Sequence, residues 1–96
     1  MEFVVIGYDA KDNIALERRL ATRTAHLENA KKLFIEKKLL FASALLDENG
    51  NMDGSIMFAD FPSKENLEEN WLKNEPYITG NVWENVIIKR TKIAKF

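Results

Sequence analysis

The feature that most narrows the fold is a pair of apolar runs placed around one turn signal near the middle of the chain. Leu39 to Leu46 is a continuous apolar run of strand length, Asp47-Glu48-Asn49-Gly50-Asn51 carries the Asn-Gly pair favoured in tight hairpins, and Gly54 to Phe61 supplies a partner strand. Asn49-Gly50 is therefore expected at the hairpin tip, as a type I′ turn with positive φ at both positions. A central antiparallel hairpin divides the chain in two, and the flanks must complete its sheet.

Before the hairpin, Phe3 to Tyr8 is β-branched and aromatic, and Gly7 with Asp9 to Asn13 closes it with turn-formers. From Ile14 to Lys38 there is no proline or glycine, and Leu16, Leu20, Leu27, Ala30, Leu33 and Phe34 recur at three- and four-residue steps. This segment predicts one long helix, or two with a break near Thr22, where Thr22 and Thr24 weaken helix propensity and offer a cap. After the hairpin, Pro62-Ser63 starts a second helix with Ser63 as N-cap, Glu65 in its first turn, and Leu67, Trp71 and Leu72 as its buried stripe, ending near Asn74. The connection Glu75 to Gly80 leads into a last strand from Val82 to Ile88, running on toward Ile93.

The order β-α-β-β-α-β is the ferredoxin-like plan: an α+β fold with a four-stranded antiparallel sheet and both helices on one face. Alternation then exposes a problem. Phe3 and Val5 face one way and Val4, Ile6 and Tyr8 the other, while Met57, Ala59 and Phe61 oppose Ile56 and Phe58. Both sheet faces are apolar, yet the chain has helices for only one, so a second copy is expected to cover the other as a homodimer.

Composition removes whole classes of function. Residues 1–96 make one domain, large enough for a single core. Lysine plus arginine (14) nearly balance aspartate plus glutamate (15), so there is no basic field for nucleic acid. The short apolar start lacks a basic leader and is far too short for a span, which predicts neither signal peptide nor membrane anchor. Absence of cysteine excludes disulfides and thiol catalysis and fits a cytoplasmic setting. One histidine without cysteine gives no zinc set, four scattered glycines give no phosphate loop, and nothing beyond His26 suits haem, so no metal or cofactor is expected.

His26, the only histidine, is the natural general acid or base; its helix position shares a stripe with Ala30 and Leu33 and points it toward the sheet. A satisfied structural histidine is the competing reading of position alone. Arg23-x-x-His26-Leu27, Gly54-Ser55 opening the third strand, and the acid-Pro-Tyr triplet Glu75-Pro76-Tyr77 occur in the order and approximate spacing of the YciI-like family, which the chain resembles over its whole length. That resemblance implies a dimer of the dimeric α+β barrel type, a single YciI-like domain over 1–96, and a His–carboxylate site formed by His26 and, by position, Glu75. The family's acid is usually aspartate, and the extra methylene of glutamate moves the carboxylate by about 1.5 Å.

A carboxylate on one imidazole nitrogen fixes the tautomer and raises the basicity of the other, which suits proton transfer on a small molecule. Ser55 and Arg23 are candidates to hold an anionic oxygen, with Tyr77 beside them; a strand-opening hydroxyl, a solvated arginine and a core aromatic are the plain alternatives. The sequence thus predicts a lyase, isomerase or dehalogenase-like enzyme acting on a small anionic or aromatic molecule through His26 and Glu75. The alternative is a non-catalytic ligand-binding or accessory module.

Overall fold

Helix formers without interruption, strand formers in alternation and one central turn produce the expected order of elements, with two short additions after the second helix, which ends at Asn70 and not near Asn74. In the computed structural model, which describes residues 1–96, β1 spans Glu2–Asp9, α1 Ala15–Ile35, β2 Leu39–Leu46, β3 Met52–Asp60 and α2 Lys64–Asn70. A 3₁₀ turn at Leu72–Asn74 and a one-turn helix α3 at Pro76–Thr79 then precede β4 at Trp83–Thr91. The strands form one antiparallel sheet in the order β2-β3-β1-β4, the ferredoxin-like arrangement, with β2 and β4 at the edges. No helix is long and apolar enough to cross a membrane.

Helix α1 is continuous through Thr22. The Thr22 hydroxyl caps no second segment and donates to the Arg18 carbonyl at 2.9 Å, one turn back, so the helix absorbs it. Its start is tied down by Asp12, which accepts from the Ile14 amide and pairs with Arg18 at 2.6 Å, while Arg18 Nε also donates to the Asn81 carbonyl. Its end is a Schellman closure: the Lys38 amide bonds to the Leu33 carbonyl and the Lys37 amide to that of Phe34, with Lys37 left-handed at φ 62°. This closure turns the chain directly into β2.

The inward stripe of α1 differs from the apolar repeat read in the sequence. Arg19, His26, Ala30 and Leu33 are buried, whereas Leu20, Leu27 and Phe34 lie 45–61% exposed. Two polar side chains are desolvated here because each finds partners on other elements, Arg19 on Asp9 and Ser55 and His26 on Glu75. The hairpin tip also differs. Gly50 has φ +81° but Asn49 does not take positive φ, so the turn is not type I′. Asp47 Oδ1 accepts from the amides of both Asn49 and Asn51, and the Gly50 amide donates to the Asp47 carbonyl, giving a three-residue loop with glycine in its left-handed position.

The sheet keeps the two-faced character that alternation predicts. Phe3, Val5, Met57 and Ala59 are at most 1% exposed beneath the helices. On the opposite face Val4, Ile6, Ile56 and Phe58 are only half-buried, and Tyr8, Phe41 and Ile87 are exposed. Register places these side by side: Ile6 pairs with Ile56 and Ile87, and Val4 with Phe58.

Replacing Gly50 by alanine meets no neighbouring atom but keeps the left-handed φ. Gly50→Ala should therefore cost about 1 kcal/mol in urea unfolding from backbone strain alone, leaving any ligand affinity unchanged.

Candidate active site

The site begins with a proline. Pro76 biases Glu75 toward extended backbone (φ −66°, ψ 122°), which ends the 3₁₀ turn and makes Glu75 the N-cap of α3. A capping side chain folds back over its own helix, and Glu75 Oε2 accepts from the Tyr77 amide at 3.0 Å. The same oxygen meets His26 Nδ1 at 2.9 Å, and Oε1 accepts from Trp71 Nε1 at 3.1 Å. Three donors thus surround a carboxylate that is 1% exposed. The carboxylate oxygen accepts, so Nδ1 is the donor in this contact and Nε2 is the ring nitrogen left outside it. Nε2 makes no hydrogen bond within the protein, and His26 lines a cavity of about 170 Å³. The longer glutamate therefore reaches the imidazole at hydrogen-bonding distance.

The His26 ring is stacked on Tyr77, with centroids 3.9 Å apart and planes within 10°, and Trp83 sits edge-on to both. Tyr77 is 1% exposed, and its hydroxyl makes no hydrogen bond in the protein although the residue lines the cavity. Burial pushes the Tyr77 phenol above its ordinary value of 10.0, opposed by Arg19 and Arg23, so the hydroxyl is protonated at neutral pH.

Beside this dyad lies a second polar group. Arg19 sits two turns before His26 on the same helix face; its Nη1 donates to Asp9 at 2.9 Å and its Nη2 to Ser55 Oγ at 2.8 Å, with its guanidinium 4.7 Å from the Tyr77 ring centre. Both members of the Arg19–Asp9 pair are buried, and Asp9 Oδ2 and Arg19 Nε have no partner. Desolvation accordingly pushes the Asp9 carboxyl above its usual 3.8, against the pull of Arg19. Trp83 Nε1 also reaches Ser55 Oγ at 3.4 Å. The Trp83 ring can lie there because Gly7 is beneath it: a Cβ at Gly7 would fall 2.3 Å from the indole. Gly7 is thus interior to β1 and does not close it.

Of the residues singled out in the sequence, His26 and Glu75 touch, Tyr77 stacks on the imidazole, and Ser55 opens into the same cavity between α1, β2, β3 and α3. Arg23 lines the cavity too, but from an exposed position without an ion-pair partner. Arg19, Asp9, Trp71 and Trp83 join the site without having been read as site residues: the sequence reading takes Asp9 as a turn-former and Trp71 as helix core. Two of them had a signal: Arg19 is seven residues before His26, hence on its face, and Asp9 continues the inward alternation of Phe3, Val5 and Gly7. The indole contacts depend on the chain turning back after α2, which no local pattern announces.

A family model for the YCII-related domain matches residues 1–92. An uncharacterised protein of Haemophilus influenzae is 36% identical, covering 96% of this chain and 97% of its own, and Protein YciI of Escherichia coli O6:H1 is 34% identical with the same coverage. Among solved structures, 5-chloro-2-hydroxyhydroquinone dehydrochlorinase (TftG) from Burkholderia phenoliruptrix AC1100, in complex with 2,5-dihydroxybenzoquinone, superposes with a TM-score of 0.82 over 98% of this chain and 96% of that one. At 20% identity that likeness shows a shared fold.

Because the folded pKa of Tyr77 is raised, its contribution to stability is fully present below pH 10 and is lost as pH rises through the folded value. Alkaline unfolding followed by tyrosinate absorbance should show a late component that Tyr77→Phe removes.

Proposed function

The chain belongs to the YCII-related family, and from that premise we propose that it is a small-molecule enzyme in which His26 and Glu75 transfer a proton. The observation that carries this reading is the 2.9 Å contact between Glu75 Oε2 and His26 Nδ1, with Nε2 left unbonded in a residue that lines the cavity. Glu75 holds the ring orientation and stabilises the imidazolium that forms when Nε2 accepts a proton. The stacked Tyr77 ring fixes the imidazole plane.

The cavity suits one small ring, since about 150 Å³ is enough for benzene. Ser55 and Tyr77 offer hydroxyls to its oxygens, and Arg23 draws an anion to the mouth. On a substrate bearing a leaving group beside an acidic hydrogen, Nε2 takes the hydrogen as a proton, its bonding pair forms the new π bond, and the leaving group departs with its own pair. The imidazolium then returns the proton to water. On a substrate without a leaving group, the same base returns the proton at a second atom and the outcome is isomerisation. The name of the TftG enzyme, a dehydrochlorinase with the same fold, makes elimination the first reaction to try.

Incubation with chlorinated hydroxyhydroquinones and enolisable ketones, followed by chloride release and by deuterium uptake from solvent, tests the proposal. Turnover is expected with at least one class, and His26→Ala or Glu75→Gln should lower it by roughly 10²- to 10⁴-fold. A panel without turnover, or a His26→Ala protein as active as its parent, returns the cavity to a ligand-binding module.

The same reading includes a homodimer. The apolar face bearing Ile6, Ile56, Phe58, Phe41 and Ile87 has no cover within the chain, and contiguous apolar surface of that kind is rarely left in water. Sedimentation at micromolar concentration should give twice the chain mass, and Ile56→Lys, with its charge on that face, should give monomers. A monomeric parent protein would reject this assembly.

A further inference from the structure

Hydrogen counting at Ser55 fixes the direction of one hydroxyl. A serine hydroxyl has two lone pairs and one hydrogen. Here Oγ accepts from Arg19 Nη2 at 2.8 Å and, less closely, from Trp83 Nε1 at 3.4 Å. Neither neighbour can accept in return, because guanidinium and indole nitrogens are donors only. The hydrogen must point elsewhere. No acceptor in the protein receives it, and Ser55, 2% exposed, contributes to the cavity wall that also carries His26.

We infer that Arg19 is a positioning residue which, acting through Ser55, turns this wall of the cavity into a one-way hydrogen-bond donor, so that the site selects ligands presenting an acceptor oxygen, a phenolate or an enolate, next to a planar body. This deepens the reading of the cavity as the place where His26 acts, and rests on it. Arg19 is held for that task by Asp9 at 2.9 Å and by the Tyr77 ring, and its burial keeps its charge undiluted by water, which polarises the serine O–H. The other lining groups agree with the sign. Arg23 has no ion-pair partner, Tyr77 keeps its hydrogen, and no carboxylate lines the cavity, Glu75 being engaged behind the imidazole. Ala42, Ala44 and Met57 complete a wall suited to a flat apolar body.

4-Nitrophenol is a suitable probe, because its anion and neutral form have separate absorption bands and hydrogen-bond donation to the anion's oxygen moves its band to shorter wavelength. The parent protein should bind the phenolate in preference to the phenol, with that displacement. Ser55→Ala should weaken phenolate binding on the order of 10- to 100-fold and abolish the displacement. Arg19→Met combined with Asp9→Asn removes both buried charges together. It should lose the displacement with the serine still present, which a merely structural role for Arg19 in a folded protein would not cause. Should that double variant fail to fold, Ser55→Ala decides alone. An Arg23→Gln protein should lose affinity in a way that high salt hides while keeping the displacement, since a mouth charge is screened and a buried donor is not. Finally, His26→Gln should keep the preference for phenolate whatever happens to turnover, so a failure of the proton-transfer reading is told apart from a failure here. Unchanged affinity and spectrum in Ser55→Ala, or a parent indifferent to the ionisation of the probe, would overturn the inference.

Discussion

One buried carboxylate holds the cavity side of this molecule together. Glu75 is shielded from solvent almost completely, a situation that costs several kcal/mol for an ion unless its oxygens are taken by donors. It takes three, from the end of the α2 segment, from the first turn of α3, and from the middle of α1. Two of those donors belong to core residues, Trp71 and Tyr77, so the position of the imidazole is set by the packing of the hydrophobic core. The site and the fold are in this sense one structure. Whatever loosens the core after α2 also loosens the angle at which His26 meets the cavity.

The second ionic pair has a different standing. Arg19 and Asp9 are both desolvated, yet one oxygen of the carboxylate and one nitrogen of the guanidinium have no partner. A pair left incompletely bonded adds little to stability, and two well-packed apolar side chains would serve as well or better. Its presence is better understood through what it holds, a serine hydroxyl and the face of an aromatic ring. The inner face of α1 is therefore divided, with polar groups of the cavity wall at Arg19 and His26 and packing at Ala30 and Leu33. That division explains why apolar residues such as Leu20 and Phe34 are pushed to the outside of the helix.

Much of this was readable from residue order. The β-α-β-β-α-β plan followed from a central turn signal, a proline-free helical stretch and strand-like runs at both ends, because those signals are local. The contact between His26 and Glu75 came from the resemblance of Arg23-x-x-His26-Leu27 and Glu75-Pro76-Tyr77 to a family pattern, and the geometry agrees with it. Where reading by pattern failed or left a choice open, a side chain decided it: Asp47 took the amides that would have made a type I′ tip, and Thr22 bonded within its helix, so that of one helix or two the chain forms one. The contacts of Trp71 and Trp83 were out of reach because they join residues across turns whose path depends on the finished core.

The close approach of Gly7 to Trp83 has a consequence for how such a site can vary. The indole occupies the space that any side chain at Gly7 would need, and the same indole bonds Ser55 and stands edge-on to His26. A change at Gly7 alone must displace the ring from both, and a smaller residue at Trp83 alone must leave a void above the strand. The two positions are therefore coupled, and a new shape for this pocket is reached by exchanging them as a pair, one growing as the other shrinks.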